Sequence, residues 1–116
     1  MLYYFPMETA KLALCFKALG EPARLRILQR LPLTNNCEDV YNVSELAEEL
    51  EIPQPTVSHH LKILHQAGLV QCAKMCRDVY YWIEQPAVEE ALAALNGLLN
   101  EGQAQSTPIA VTPNPD

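Results

Sequence analysis

Prolines and glycines at Gly20, Pro22, Pro32, Pro53, Gly68 and Pro86 cut this chain into short segments, and they bound what each segment can become. Proline in a helix interior removes a hydrogen bond and clashes with the turn before it, whereas at the first position of a helix it costs nothing. Glycine supplies the backbone freedom that ends a helix. Between these stops, apolar residues at helical spacing predict a helix over Glu8 to Leu19, with Leu12, Phe16 and Leu19 recurring and Gly20 as its end. Pro22 opens a second helix, carrying Leu25, Leu28 and Leu31 as one stripe before Pro32 stops it. Leu33 to Asn42 reads as a connector, since Asn35, Asn36 and Asn42 favour turns.

The following stretch decides the fold. Ser44 is expected to cap a short helix over Glu45 to Leu50, with Leu46, Ala47 and Leu50 facing inward. Glu51-Ile52-Pro53 makes a turn, and a longer helix runs from Gln54 to Ala67, with Val57, Leu61 and Leu64 on its buried side and Gly68 after it. Leu69 to Ala73 and Val79 to Glu84 read as strands, the second alternating Val79, Tyr81 and Ile83 with Tyr80, Trp82 and Glu84. Lys74 to Asp78 joins them as a charged hairpin. Pro86 opens a last helix to Asn100 with Val88, Leu92, Leu95 and Leu99 along one side. The expected class is mainly α with a small β-hairpin (α+β), a winged helix-turn-helix in the order α-α-α-α-β-β-α. Residues 1–8 read as an N-terminal arm, 9–100 as the winged helix-turn-helix domain, and 101–116, with Pro108, Pro113 and Pro115, as an expected disordered tail.

At 116 residues there is room for one domain. No apolar run approaches the ~18 residues of a membrane helix, and the apolar opening lacks a basic start, a long apolar stretch and a cleavage site. The expectation is a cytosolic protein without membrane contact, its cysteines Cys15, Cys37, Cys72 and Cys76 reduced. A net charge of −6 argues at first against nucleic acid. Its distribution reverses that. No acidic residue lies between Glu51 and Asp78, a window that holds Lys62, Lys74, Arg77 and all three histidines. Attraction to phosphate is local, screened within about 10 Å, so an acidic body with one acid-free face can still meet DNA.

In a helix-turn-helix the second helix enters the major groove. With Val57, Leu61 and Leu64 inward, Gln54, Ser58 and Lys62 fall along the opposite side, with Thr56 and His59 nearby. Glutamine can read adenine through two hydrogen bonds, serine, threonine and histidine can touch base edges or phosphates, and Lys62 suits a phosphate. Lys74 and Arg77 in the wing reach the backbone or the minor groove. A Ser-His-His-Leu-Lys string alone describes an ordinary solvated helix face; joined to the capped helix, turn and hairpin it reads as a DNA-binding surface. Two other classes compete. An enzyme lacks support, for no Gly-rich phosphate loop, metal-ligand motif or nucleophile–base pair stands out. A winged-helix protein–protein interaction module without DNA-binding activity is the alternative, and the polar outer face speaks against it, since protein-binding grooves expose apolar anchors.

The run Leu50-Glu51-Ile52-Pro53-Gln54-Pro55-Thr56-Val57-Ser58-His59-His60-Leu61-Lys62-Ile63-Leu64 resembles the ArsR/SmtB family of metal- and stress-responsive repressors. So do Ala67-Gly68-Leu69-Val70, Arg77-Asp78-Val79-Tyr80-Tyr81 and the stretch from Phe16 to Leu28, and together the likeness spans about Thr9 to Asn100. The resemblance implies a homodimer whose first and last helices pack across the two-fold axis, through Leu12, Phe16, Val88, Leu92, Leu95 and Leu99 here. It also implies binding to a palindromic double-stranded operator, repression, and release by an inducer. Pro53 stands where the family often has serine, and Cys76 where it often has glycine.

The inducer is less legible. The family's arsenic-type site puts a cysteine pair on the first helix of the motif, but Ser44 to Leu50 has no thiol; its zinc-type site uses Asp, His and Glu on the last helix, where this chain has Glu89 and Glu90 but no histidine. Cys15, Cys37, Cys72 and Cys76 remain as sensor candidates, either as a thiol redox switch or as thiolate ligands of arsenite or a soft metal ion, beside the plainer reading of small core or incidental residues. On an extended strand Cys72 and Cys76 would lie ~13 Å apart, too far for one metal or a disulfide unless the turn folds back. Cys15 could approach Cys37 or a thiol of the partner subunit. Adjacent His59 and His60 diverge by about 100° on a helix and do not make a metal pair.

Overall fold

Each break in the sequence ends an element in the computed structural model, which describes residues 7–34, 41–75 and 77–103. The elements are α1 (Thr9–Leu19), α2 (Pro22–Arg30), α3 (Val43–Leu50), α4 (Gln54–Gln66), β1 (Val70–Met75), β2 (Asp78–Ile83) and α5 (Gln85–Gln103), the expected order. Helix α4 is the centre of the packing, with Val57, Leu61 and Leu64 fully buried and contacts to α1, α2, α3 and β1. Around it lie Leu12, Cys15 and Ala18 of α1, Ile27 of α2, and Leu46, Ala47 and Leu50 of α3. No polar side chain is buried among the described residues.

Several local expectations shift. In α2 the inward position belongs to Ile27, and Leu25 is half exposed, because two positions along a helix turn the side chain by about 200°. Helix α3 begins two residues before the expected start, and its cap is Asn42 rather than Ser44. The Glu45 amide donates to Asn42 Oδ1 at 2.8 Å and the Asn42 amide donates to Glu45 Oε1 at 3.0 Å. This reciprocal pair satisfies two amides that a helix start leaves unpaired, whereas Ser44 has no glutamate or glutamine three residues on.

The turn between α3 and α4 is closed by Glu51 in the left-handed region (φ 56°), with the Ile52 amide donating to Ala47 O at 3.0 Å and Glu51 to Glu48 O at 3.3 Å. The same pattern ends α4. Gly68 at φ 79° donates to His65 O at 2.9 Å, and Leu69 donates to Leu64 O at 3.0 Å. Gly68 is thus the stop the sequence indicates.

The hairpin is longer and tighter than expected. Pairing runs from Val70↔Ile83 to Met75↔Asp78, and Arg77 stands just before the second strand at φ 74°. Its base is fastened by the Ile83 amide to Pro32 O and the Glu84 amide to Leu69 O, both 2.9 Å. Helix α5 starts at Gln85 and continues to Gln103, so residues 101–103 of the expected tail are helical, while 104–116 lie outside the described residues. It packs on α1 through Ala91 and Ala94, small side chains that let two helices approach closely. Among the described residues no helix is long and apolar enough to cross a membrane.

Candidate nucleic-acid interface

Helix α4 presents Gln54, Thr56, Ser58, His59 and Lys62 to solvent, because its opposite side is committed to the core. The hairpin stands beside its N-terminal half, and a groove of about 510 Å³ opens between them. Four of the seven expected DNA contacts line it: Gln54 and Ser58 from α4, Lys74 and Arg77 from the wing. Thr56, His59 and Lys62 are exposed but do not line it. Asn42, Ser44 and Tyr81 complete the polar wall, and none was among the expected contacts. Ser44, freed from capping, is an exposed hydroxyl in the first turn of α3, where the helix end carries partial positive charge.

The electrostatics suit an anion. Lys74 and Arg77 are exposed and have no ion-pair partner among the described residues, where the pair that forms is Arg30 with Glu49 at 3.7 Å. Asp78, the one acid on the groove, accepts from Asn42 Nδ2 at 3.4 Å, which ties the wing to the start of α3.

On the far flank of α4, Arg24 of α2 donates from Nε to His60 Nδ1 at 3.2 Å and from Nη1 to the carbonyls of Lys17 and Ala18 at 3.3 and 3.0 Å. Burial and then the Arg24 cation hold the His60 imidazole below its ordinary value, with Glu21 opposing and His59 assisting. Among the described residues no three His, Cys, Asp or Glu side chains are grouped to hold a metal ion.

The thiols separate by environment. Cys15 is 2 % exposed and its Sγ donates to Ala67 O at 3.6 Å. Burial pushes its pKa up, against Lys11 and with Glu90, so it stays a protonated core thiol. Cys72 is half-buried on β1, directly opposite Tyr81 on β2. Burial first, and Cys72 second, raise the Tyr81 phenol. Cys37 and Cys76 lie outside the described residues.

The expected interface residues also divide. Leu12 is 5 % exposed inside its own protomer's core, and Phe16, Val88 and Leu95 pack partly against that core. Leu92 and Leu99 are half exposed, as are Leu98 and Leu14, which the sequence reading left out. A hollow of about 610 Å³ lies between the start of α1 and the end of α5, lined by Met7, Ala94 and Leu98 with Glu8, Thr9 and Glu101 beside them.

Comparison with known proteins bears on the same surface. Residues 21–71 match the family described as bacterial regulatory protein, arsR family. An HTH-type transcriptional regulator of Methanocaldococcus jannaschii is 39% identical over 89 residues, 76% of this chain and 94% of that protein. The HTH-type transcriptional repressor SmtB of Mycobacterium tuberculosis is 42% identical over 65 residues, 56% of this chain and 44% of that longer protein. Among solved structures, an ArsR-like transcriptional regulator from Rhodococcus superposes with a TM-score of 0.71 at 26% identity, covering 83% of this chain and 86% of the other.

Proposed function

The chain belongs to the ArsR family of bacterial regulatory proteins, and on that premise we propose that it is a homodimeric repressor that holds a palindromic operator and leaves it when an inducer acts. One observation carries the reading: Gln54 and Ser58 of the recognition helix α4 share a groove with two unpaired cations of the wing, in the acid-free stretch of an otherwise acidic chain. Base edges would meet Gln54 and Ser58, and phosphates Lys74, Arg77 and the first turn of α3. The work is binding, not catalysis, and the location cytoplasmic.

The half-exposed leucines of α5 support the dimer, since a second copy packed there would cover Leu92, Leu98 and Leu99. Two recognition helices then face half-sites about 34 Å apart. The inducer acts on thiols in this reading, as an oxidant, arsenite or a soft metal ion, and of the two described cysteines Cys72 is the one that conveys the signal, since its partner Tyr81 lines the groove.

The test is a fluorescence-anisotropy titration of the reduced protein against DNA from its own promoter, repeated with arsenite, with zinc and after mild oxidation. Tight, salt-sensitive binding to a palindrome supports the reading, and the treatment that releases DNA names the signal. Binding no better than to random duplex in every state overturns it and favours a protein-interaction module.

A further inference from the structure

The break at Gly20 to Pro22 folds the start of α2 back beside the end of α1. At the end of α1, Lys17 O accepts from the Gly20 amide at 3.2 Å, and Arg24 adds a donor to it and supplies one to Ala18 O. A second nitrogen of the same guanidinium, Nε, donates to a third element, at His60 on α4. One side chain therefore joins the end of α1, the start of α2 and the middle of the recognition helix. Arginine cannot lose its proton, so the bond exists only while Nδ1 of His60 is an acceptor, with the ring neutral and its hydrogen on Nε2. When His60 gains a proton, a donor faces a donor and two cations stand where a hydrogen bond was.

The charged and titratable groups acting on His60 are Arg24 and Glu21 at the start of α2 and His59 on its own helix, while α1 contributes backbone carbonyls to Arg24. Burial and Arg24 outweigh Glu21, so the folded state disfavours the imidazolium. The sign follows. The clasp is complete above the ordinary histidine value of 6.5 and is lost as pH falls below it through the lowered folded value.

We propose that Arg24 is a positioning residue for operator binding, holding the recognition helix to the end of α1 through neutral His60, and that acidification releases this clasp and weakens operator affinity. The inference rests on the DNA-binding reading above. It does not require either residue to touch DNA.

The experiment measures operator affinity from pH 8 down to pH 5 for the wild type, His60→Asn and Arg24→Met. Asparagine places Oδ1 where the ring has Nδ1 and accepts from Arg24 without titrating. His60→Asn binds as the wild type does at pH 8, and between pH 8 and pH 5 the wild type loses about fivefold more affinity than it does. The two proteins differ at residue 60 alone, so the ratio of their pH responses reports on His60. Arg24→Met binds more weakly at pH 8 and matches the pH response of His60→Asn. NMR titration of the imidazole, which needs no DNA, shows the His60 midpoint rising in Arg24→Met. Equal pH responses in wild type and His60→Asn, or an unmoved midpoint in Arg24→Met, overturn the clasp while leaving operator binding intact. A wild type that binds no duplex at any pH in this range overturns the DNA-binding reading, and the inference falls with it.

Discussion

Replacing Lys74 or Arg77 with glutamine tests the wing by the number of counterions it displaces. Both side chains are exposed on the groove and lack an acidic partner among the described residues, so each is free to neutralise one phosphate. Each such contact contributes about 0.9 to the slope of log affinity against log salt on duplex DNA. A homodimer carries every substitution twice, so either variant lowers the slope by about 1.8. At 0.15 M salt, roughly the physiological level, that slope corresponds to about a 30-fold weaker complex. Anisotropy titrations at four salt concentrations, on operator and on random duplex, give the slope directly. Because phosphates carry no sequence, operator and random duplex lose affinity by the same factor. An affinity that falls without a change of slope would refute the phosphate assignment, and an unchanged affinity would remove the wing from the interface.

The other expectations follow from single features. Gln54→Ala costs about 1–3 kcal/mol on the operator and nothing on random duplex if it reads a base edge; equal losses on both would make it a phosphate contact. Glu51→Gly relieves a left-handed strain of about 1–2 kcal/mol against a glycine entropy cost of about 0.5–1 kcal/mol, so the urea midpoint rises slightly, and a fall would mean the side chain holds the turn. Leu92→Lys with Leu99→Lys yields a folded monomer in sedimentation, since both leucines are half exposed; a persisting dimer would place the interface elsewhere. In a Cys37→Ser, Cys76→Ser background a thiol reagent labels Cys72 in the native protein and Cys15 only after unfolding, and rapid labelling of both would contradict the buried, protonated Cys15.

Element order was legible because Gly20, Pro22, Pro53 and Gly68 stop helices by backbone chemistry that tertiary contacts do not override. The cap of α3 was misplaced at Ser44; the signal for Asn42 was the glutamate three residues beyond it, a pairing that Ser44 lacks. The Arg24–His60 bond was not legible, because it joins residues 36 apart whose meeting depends on how α2 settles against α4. Nor was the full length of the hairpin, since Lys74 and Met75 have no strong strand character and gain their places by pairing with Val79 and Asp78.

The last helix shows why apolar spacing alone misleads at a surface. Leu92 and Leu99 share a stripe with Val88 and Leu95, and spacing alone gives all four the same surroundings. Yet the residues of α5 that are most buried are Ala91 and Ala94. Periodicity records which residues avoid water; it does not say whether the cover comes from the same chain. Alanines facing α1 permit close helix packing with little burial area, and that arrangement turns the larger leucines outward. A monomer selected only for its own stability would gain about 1 kcal/mol by burying the exposed half of each leucine instead. The arrangement is economical only if a second copy covers α5. For that reason the leucines left outside, rather than those packed inside, are the strongest sign in the protomer of a two-fold assembly.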